Sequence, residues 1–260
     1  MTAPDSAAEI QKLAHQLGVE PTRLAALTGV PAGDLRILRT QIADALFEAD
    51  KPRFAKIAAL SKAVPTAVAA RLTEYAMPPL LAARTAELIE PRRAADLVGR
   101  LSDGYLADVS TAMDASRAAE VVAEIPADRI ATIGAELARR AEWVVIGGFV
   151  AHVNAPALAA AVQVFDGEQL LRIGFVLDDK DRLDDVSQLV TDVQIDAMLA
   201  AASKHGLWTE LDDLLAHLTA DRAGRMRDRF GVAPAKIVAA TQAAAASGGL
   251  SQDSLAKLTA

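Results

Sequence analysis

The sequence predicts an all-α fold: a superhelical array of short helical hairpins (an α-solenoid) with an N-terminal helical cap. Three observations predict it. Hydrophobic residues make up 52% of the 260 residues but aromatics only 4%. Many short helices packed on several sides call for small Ala, Val and Leu contacts rather than large rings. No stretch alternates apolar and polar residues over a strand length between Asn-Gly or Asp-Gly turns. Capping residues and prolines recur at a twelve-residue step, at Glu90-Pro91, Ser102-Asp103, Asp114 and Pro126, and again at Asn154, Asp166 and Asp178. Twelve residues give about three helical turns plus a cap.

Residues 1–50 read as the cap. Helices are predicted over 6–17, 21–27 and 33–48. The join Leu24-Ala25-Ala26-Leu27-Thr28-Gly29-Val30-Pro31 has the form of a helix-turn-helix corner, which would place Arg36 and Arg39 on a recognition helix. Asp34 at the start of that helix would repel phosphate, so shielding the first repeat's apolar face is the favoured role.

Residues 51–232 read as the repeat superhelix. Arg93-Ala94-Ala95-Asp96-Leu97-Val98 returns 24 residues later as Arg117-Ala118-Ala119-Glu120-Val121-Val122, and Leu101 returns as Ile125. Forty residues on, Val122 corresponds to Val162, Ile125 to Phe165 and Ile133-Gly134 to Ile173-Gly174. Ala63-Val64-Pro65-Thr66 is a weaker echo of Glu124-Ile125-Pro126-Ala127. Residues 233–260 read as a C-terminal helix over 236–246, a stop at Ser247-Gly248-Gly249 and a short final helix or tail.

These words, Pro91 to Val98 and Ser116 to Pro126, resemble the intracellular N-terminal superhelical domain of MgtE-type magnesium transporters and related helical repeats of flagellar motor switch proteins. The resemblance covers roughly residues 52–220. It implies a right-handed solenoid of short helices with an interaction or regulatory role. The family domain senses magnesium at acidic surfaces. No membrane helices or ligand-sensing domain follow here, so transport is not implied.

Composition narrows the function. With no cysteine there is no disulfide, thiol nucleophile or Cys-ligated metal site. A net charge of −7 disfavours nucleic acid as a partner. The longest uncharged apolar-rich run, 143–165, is broken by Gly147, Gly148, His152, Asn154 and Pro156, and reads as two helices rather than a membrane span. A cytoplasmic location is expected, with peripheral membrane contact left open. No phosphate loop, nucleophile elbow, dinucleotide fingerprint or His-Glu-x-x-His motif occurs, so no enzyme, catalytic residue, metal ligand or cofactor is predicted.

Two candidate sites remain. Residues 166–213 hold twelve acidic and four basic residues, whereas the rest of the chain carries 22 acidic and 23 basic. Asp181, Asp184 and Asp185 would therefore form an acidic face for a protein partner, steered by charge. Asp181 with Asp184 or Asp185 also offers oxygen ligands for divalent-cation sensing, though not in an EF-hand pattern. The second site is a pocket for an apolar small molecule or lipid around Trp143, Gly147, Gly148, His152 and Phe165, where two helix-interior glycines need a compensating reason. A non-enzymatic interaction or scaffold protein using the acidic face is the leading expectation; carriage of an apolar ligand and cation sensing are the alternatives.

Overall fold

Helices begin at five of the caps read from the sequence, Glu90, Ser102, Pro126, Asn154 and Asp166, but not at Asp114 or Asp178. The computed structural model describes residues 3–61 and 63–259, and among them are seventeen α-helices, one 3-10 helix and no strand. In chain order these are α1 (Ala3–Leu17), the 3-10 helix (Pro21–Leu27), α2 (Ala32–Ser61), α3 (Thr66–Ala76), α4 (Pro79–Ala86), α5 (Pro91–Val98), α6 (Asp103–Ala112), α7 (Ala119–Ala123), α8 (Ala127–Arg139) and α9 (Trp143–Val150). Then come α10 (Ala155–Val164), α11 (Gly167–Phe175), α12 (Arg182–Leu189), α13 (Asp192–His205), α14 (Trp208–His217), α15 (Ala220–Gly231), α16 (Ala235–Ala246) and α17 (Gln252–Thr259).

The caps work as side chains, not only as residue types. Ser102 accepts a hydrogen bond from the Tyr105 N–H at the start of α6. Asp166 and Thr191 each form a full capping box, with Gln169 and Gln194 answering from the third helical position. Asp114 opens no helix directly. Its carboxylate accepts from the Ser116 and Arg117 N–H groups at 3.0 and 3.2 Å, and α7 starts only at Ala119. Gly206 ends α13 in the left-handed conformation, as the His205-Gly206 pair suggests.

Two compact units divide the chain, Gly33–Ala161 and the pair of segments Met1–Ala32 and Val162–Ala260. These boundaries differ from the expected 1–50, 51–232 and 233–260. Two local causes are visible. Helix α2 does not stop near Glu48 but runs on to Ser61 through Pro52. Phe47 and Phe54, seven residues apart on one face, pack at 6.3 Å between ring centroids, and the Arg117 guanidinium stacks 4.1 Å above the buried Phe47 ring. Helix α1, in turn, packs against the 3-10 helix and α14. The expected cap segment is thus shared between the units.

Within each unit alternate helices stack. In Gly33–Ala161 the packed pairs are α3 with α5, α4 with α6, α5 with α7 and α6 with α8. In the other unit α11 packs on α13, α13 on α15 and α15 on α17. This second-neighbour stacking is the packing of a helical repeat, and it explains the sequence echoes. Ala94 and Ala118, Leu97 and Val121, Leu101 and Ile125 are buried pairwise, as are Val122 with Val162, Ile125 with Phe165 and Ile133 with Ile173. The echo is therefore a repeat of burial.

One loop shows strain. Ala141 follows α8 with φ of 60°, a left-handed conformation that costs a Cβ-bearing residue about 1 kcal/mol. It is held because the Glu142 N–H bonds the Leu137 carbonyl and the Ala141 N–H bonds the Ala138 carbonyl, both at 3.0 Å, closing α8 in a Schellman-type turn. Ala141→Gly should stabilise the protein by up to about 1 kcal/mol in a urea titration.

Candidate functional site

The stacks are tied together by one recurring device. In four helices the third residue hydrogen-bonds the carbonyl two residues ahead of the helix on which it stacks. In α5 the Arg93 guanidinium donates to the Val64 carbonyl at 2.6 Å, ahead of α3. In α6 the Tyr105 hydroxyl donates to the Met77 carbonyl at 2.8 Å, ahead of α4. In α8 Arg129 donates to the Leu101 carbonyl, ahead of α6, and also meets Asp103. In α13 the Gln194 amide reaches the Phe165 carbonyl at 3.0 Å, ahead of α11. Each clasp satisfies a carbonyl in the turn before a helix and fixes the register of the stack.

The open end of the Gly33–Ala161 stack lies at α3, the first helix of the series α3, α5 and α7. The third residues of α3 and α4 are Val68 and Leu81, which cannot donate. Helix α3 turns Ala69 and Ala70 inward, where they are buried. Its opposite side carries Val68, Leu72 and Tyr75, spaced i, i+4 and i+7, so they line one face. They are 49%, 56% and 89% exposed, and Leu80 at the start of α4 is 57% exposed. A line of large apolar groups at helix spacing is what interior helices of a repeat bury.

The acidic segment resolves differently. Its carboxylates are largely engaged, many by the basic residues of α15. Arg225 bonds Asp192 at 2.6 Å, and Arg229 forms a two-nitrogen pair with Asp196. Asp184 accepts from the Thr219 hydroxyl at 2.8 Å and lies 3.9 Å from Arg222. Asp185 is more than half exposed, with Arg182 at 3.7 Å, and Asp181 sits at the N-cap of α12 without a capping bond from its side chain. Glu168 meets Arg172 and His205, and Asp212 receives Ser251 at 2.6 Å. The local excess of −8 read from the sequence is therefore met in part by α15, just beyond the segment in sequence, whose Arg222, Arg225 and Arg229 meet Asp184, Asp192 and Asp196.

Two carboxylates of this segment enter a network that sequence reasoning missed. The Lys12 ammonium, buried in α1, donates to Glu9 at 2.8 Å, Asp178 at 2.9 Å and the Leu177 carbonyl at 3.2 Å. The Lys180 ammonium donates to Asp213 at 2.5 Å, the Phe175 carbonyl at 2.7 Å and the Gly174 carbonyl at 3.0 Å. Each lysine thus has three acceptors for its three protons. Together they fix the loop between α11 and α12 to α1 and α14. Burial pushes Lys180 below its usual range and Asp213 above the carboxylate range, while their mutual attraction opposes both shifts. One Asp213 oxygen, Oδ1, is buried without a hydrogen-bond partner. Beside it Asp5, Asp213 and His217 bring ligand atoms within 4.8 Å of one another. The Lys180 ammonium already supplies a cation to this cluster.

The residues expected to hold an apolar ligand divide between the two units. Trp143, Gly147, Gly148 and His152 lie in or just after α9, with Gly147 buried and the other three half-buried. Phe165 is buried and belongs to the other unit. An open groove of about 570 Å³ lies instead against α15 and α17, with Ala223, Gly224, Arg227, Asp253 and Lys257 in its walls. Gly167 is a glycine on which packing depends. A Cβ built there would stand 2.6 Å from the Ala197 carbonyl oxygen and collide with the Met198 backbone.

The fold and these surfaces define an all-α helical-repeat protein. Residues 53–142 match the family model of the MgtE intracellular N domain, about a third of the chain, and this segment contains α3 to α8 and the open end of their stack. No curated protein and no solved structure matches the chain. Among the described residues no helix is long and apolar enough to cross a membrane.

Proposed function

We propose that the chain is a non-enzymatic helical-repeat protein with a scaffold or regulatory role, acting by protein contact through the open end of the α3–α8 stack. The observation that carries this reading is the exposed line Val68, Leu72 and Tyr75 on α3. It lies inside the segment that is similar to the MgtE intracellular N domain, a soluble regulatory type of domain. Contact through the acidic face 166–213 has less support, because most of its carboxylates are engaged within the chain. A cation-sensing role draws on the same family likeness and on the Asp5, Asp213 and His217 cluster, but there a metal ion would compete with Lys180.

Site-specific photocrosslinking in the native cell tests the reading. A photoreactive residue at position 75 should give discrete protein adducts, while the same residue at exposed position 120 should not. Adducts of equal yield at both positions, or none at 75, would overturn it.

A further inference from the structure

We infer that the occupant of the α3 face is a second copy of this chain, paired antiparallel about a twofold axis. The inference rests on the reading of that face as a contact surface and names its partner. Three observations support it. First, α3 is the first helix of the series α3, α5 and α7, in which each helix stacks on the one two before it, so no earlier helix of the repeat stacks on its outer side. Second, the line Val68, Leu72 and Tyr75 is nearly symmetric about its middle. In an antiparallel pair Val68 meets Tyr75 of the other copy at each end, and the two Leu72 side chains meet near the axis. The large ring thus fills the space left by the small side chain. Third, the flank of the line is self-complementary in charge. Arg71 and Glu74 lie on the same side of the apolar line, on a helical wheel of 100° per residue.

An isologous antiparallel pair brings like flanks together. With the pair centred between Val68 and Tyr75, Arg71 of one copy lies about 3 Å along the axis from Glu74 of the other, within reach of a guanidinium. The twofold makes this contact twice. A parallel twofold pairing would set the Arg71 and Glu74 flank against the opposite, uncharged flank of the other copy (Pro65, Ala69 and Ala76) and leave these charges unpaired, so the charges favour the antiparallel form. A head-to-tail contact would leave the same face open on the next copy and grow into a filament.

Light scattering on the full chain after size exclusion, over micromolar to submillimolar concentration, should give the mass of a dimer. Leu72→Glu and Tyr75→Glu should give monomer with an unchanged helical circular dichroism spectrum, since both side chains are exposed and no core contact is lost. Arg71→Glu or Glu74→Arg alone should weaken the dimer by about tenfold, because each reversal sets two pairs of like charges against each other. The double variant R71E/E74R should recover most of the loss. A monomer at all concentrations, a dimer indifferent to Leu72→Glu, or a mass rising steadily beyond two copies would overturn the inference. A monomer that still crosslinks other proteins from position 75 would overturn the dimer alone and leave the contact reading standing.

Discussion

Gly167→Ala is expected to destabilise the protein by about 3 kcal/mol, the upper end of what overpacking costs. The reason lies in what surrounds the missing side chain. Gly167 is buried at the first position of α11, directly after the Asp166 cap. Its would-be Cβ falls 2.6 Å from the Ala197 carbonyl oxygen, and the other near atoms are also backbone, of Ala197 and Met198 in α13. A flexible side chain could swing away; a helical backbone cannot. Relief would require α11 and α13 to separate, although they pack on each other and their Leu170, Leu171 and Ile195 are buried. Separation would also stretch the Gln194 clasp on the Val162 and Phe165 carbonyls, at 2.9 and 3.0 Å. A urea titration followed by circular dichroism measures the loss, and the melting temperature should fall by roughly 6–12 °C. Gly231→Ala is the control. A Cβ at that position meets nothing within 4 Å and the backbone is not left-handed, so the change should be neutral or slightly stabilising. An equal loss in both variants would remove the packing argument.

Gly167 also marks how far the sequence could be read. The caps at Ser102, Pro126, Asp166 and Thr191 act locally, within three residues, and so the helix starts near Pro91, Asp103, Ala127 and Gly167 could be placed from the twelve-residue step. The repeat was legible for a similar reason: equivalent residues face equivalent neighbours, so Ala94 and Ala118 are both small and both buried. Close approach has no such signature. Gly147-Gly148 looks conspicuous because two glycines break one apolar helix, whereas Gly167 looks like part of a cap. Only the distance to α13 shows that packing depends on Gly167. The acidic segment is only partly legible for a related reason. Charge counted along the chain cannot see that Arg225 and Arg229 fold back onto Asp192 and Asp196 from 33 residues away. The clasp was hidden differently. Arg93, Tyr105, Arg129 and Gln194 share a position and a task but not a residue type, so no motif search aligns them. The exposed line on α3 is written plainly at 68, 72 and 75, yet a helix-spaced apolar line normally means core. That it stays uncovered depends on α3 being the first helix of its stack.

The buried lysine network gives the other large effect. Asp213→Ala should cost about 3–5 kcal/mol, because it leaves the Lys180 ammonium in a buried site with only two carbonyl acceptors and without its hydrogen-bonded carboxylate. Truncating the lysine as Lys180→Met should cost a similar amount and change the pH dependence in a defined direction. Burial already lifts Asp213 above the ordinary carboxylate value, and Lys180 is the main influence lowering it. Removing the ammonium lifts it further. The folded state then binds a proton that the unfolded state has released, over the range between the unfolded and folded values. Stability of Lys180→Met should therefore be best in mild acid and should fall as pH rises through the carboxylate range toward neutrality, whereas the parent protein keeps Asp213 compensated and changes less. The paired replacement Lys180→Met with Asp213→Leu removes both charges and their desolvation together. It should be more stable than either single variant and close to the parent, as apolar replacements of buried ion pairs often are. Urea titrations of the four proteins at two pH values complete the cycle. If the single changes simply add in the double variant, Lys180 and Asp213 do not act as a pair. If they compensate, the loop between α11 and α12 is held by a charge pair whose worth lies mainly in the penalty for breaking it.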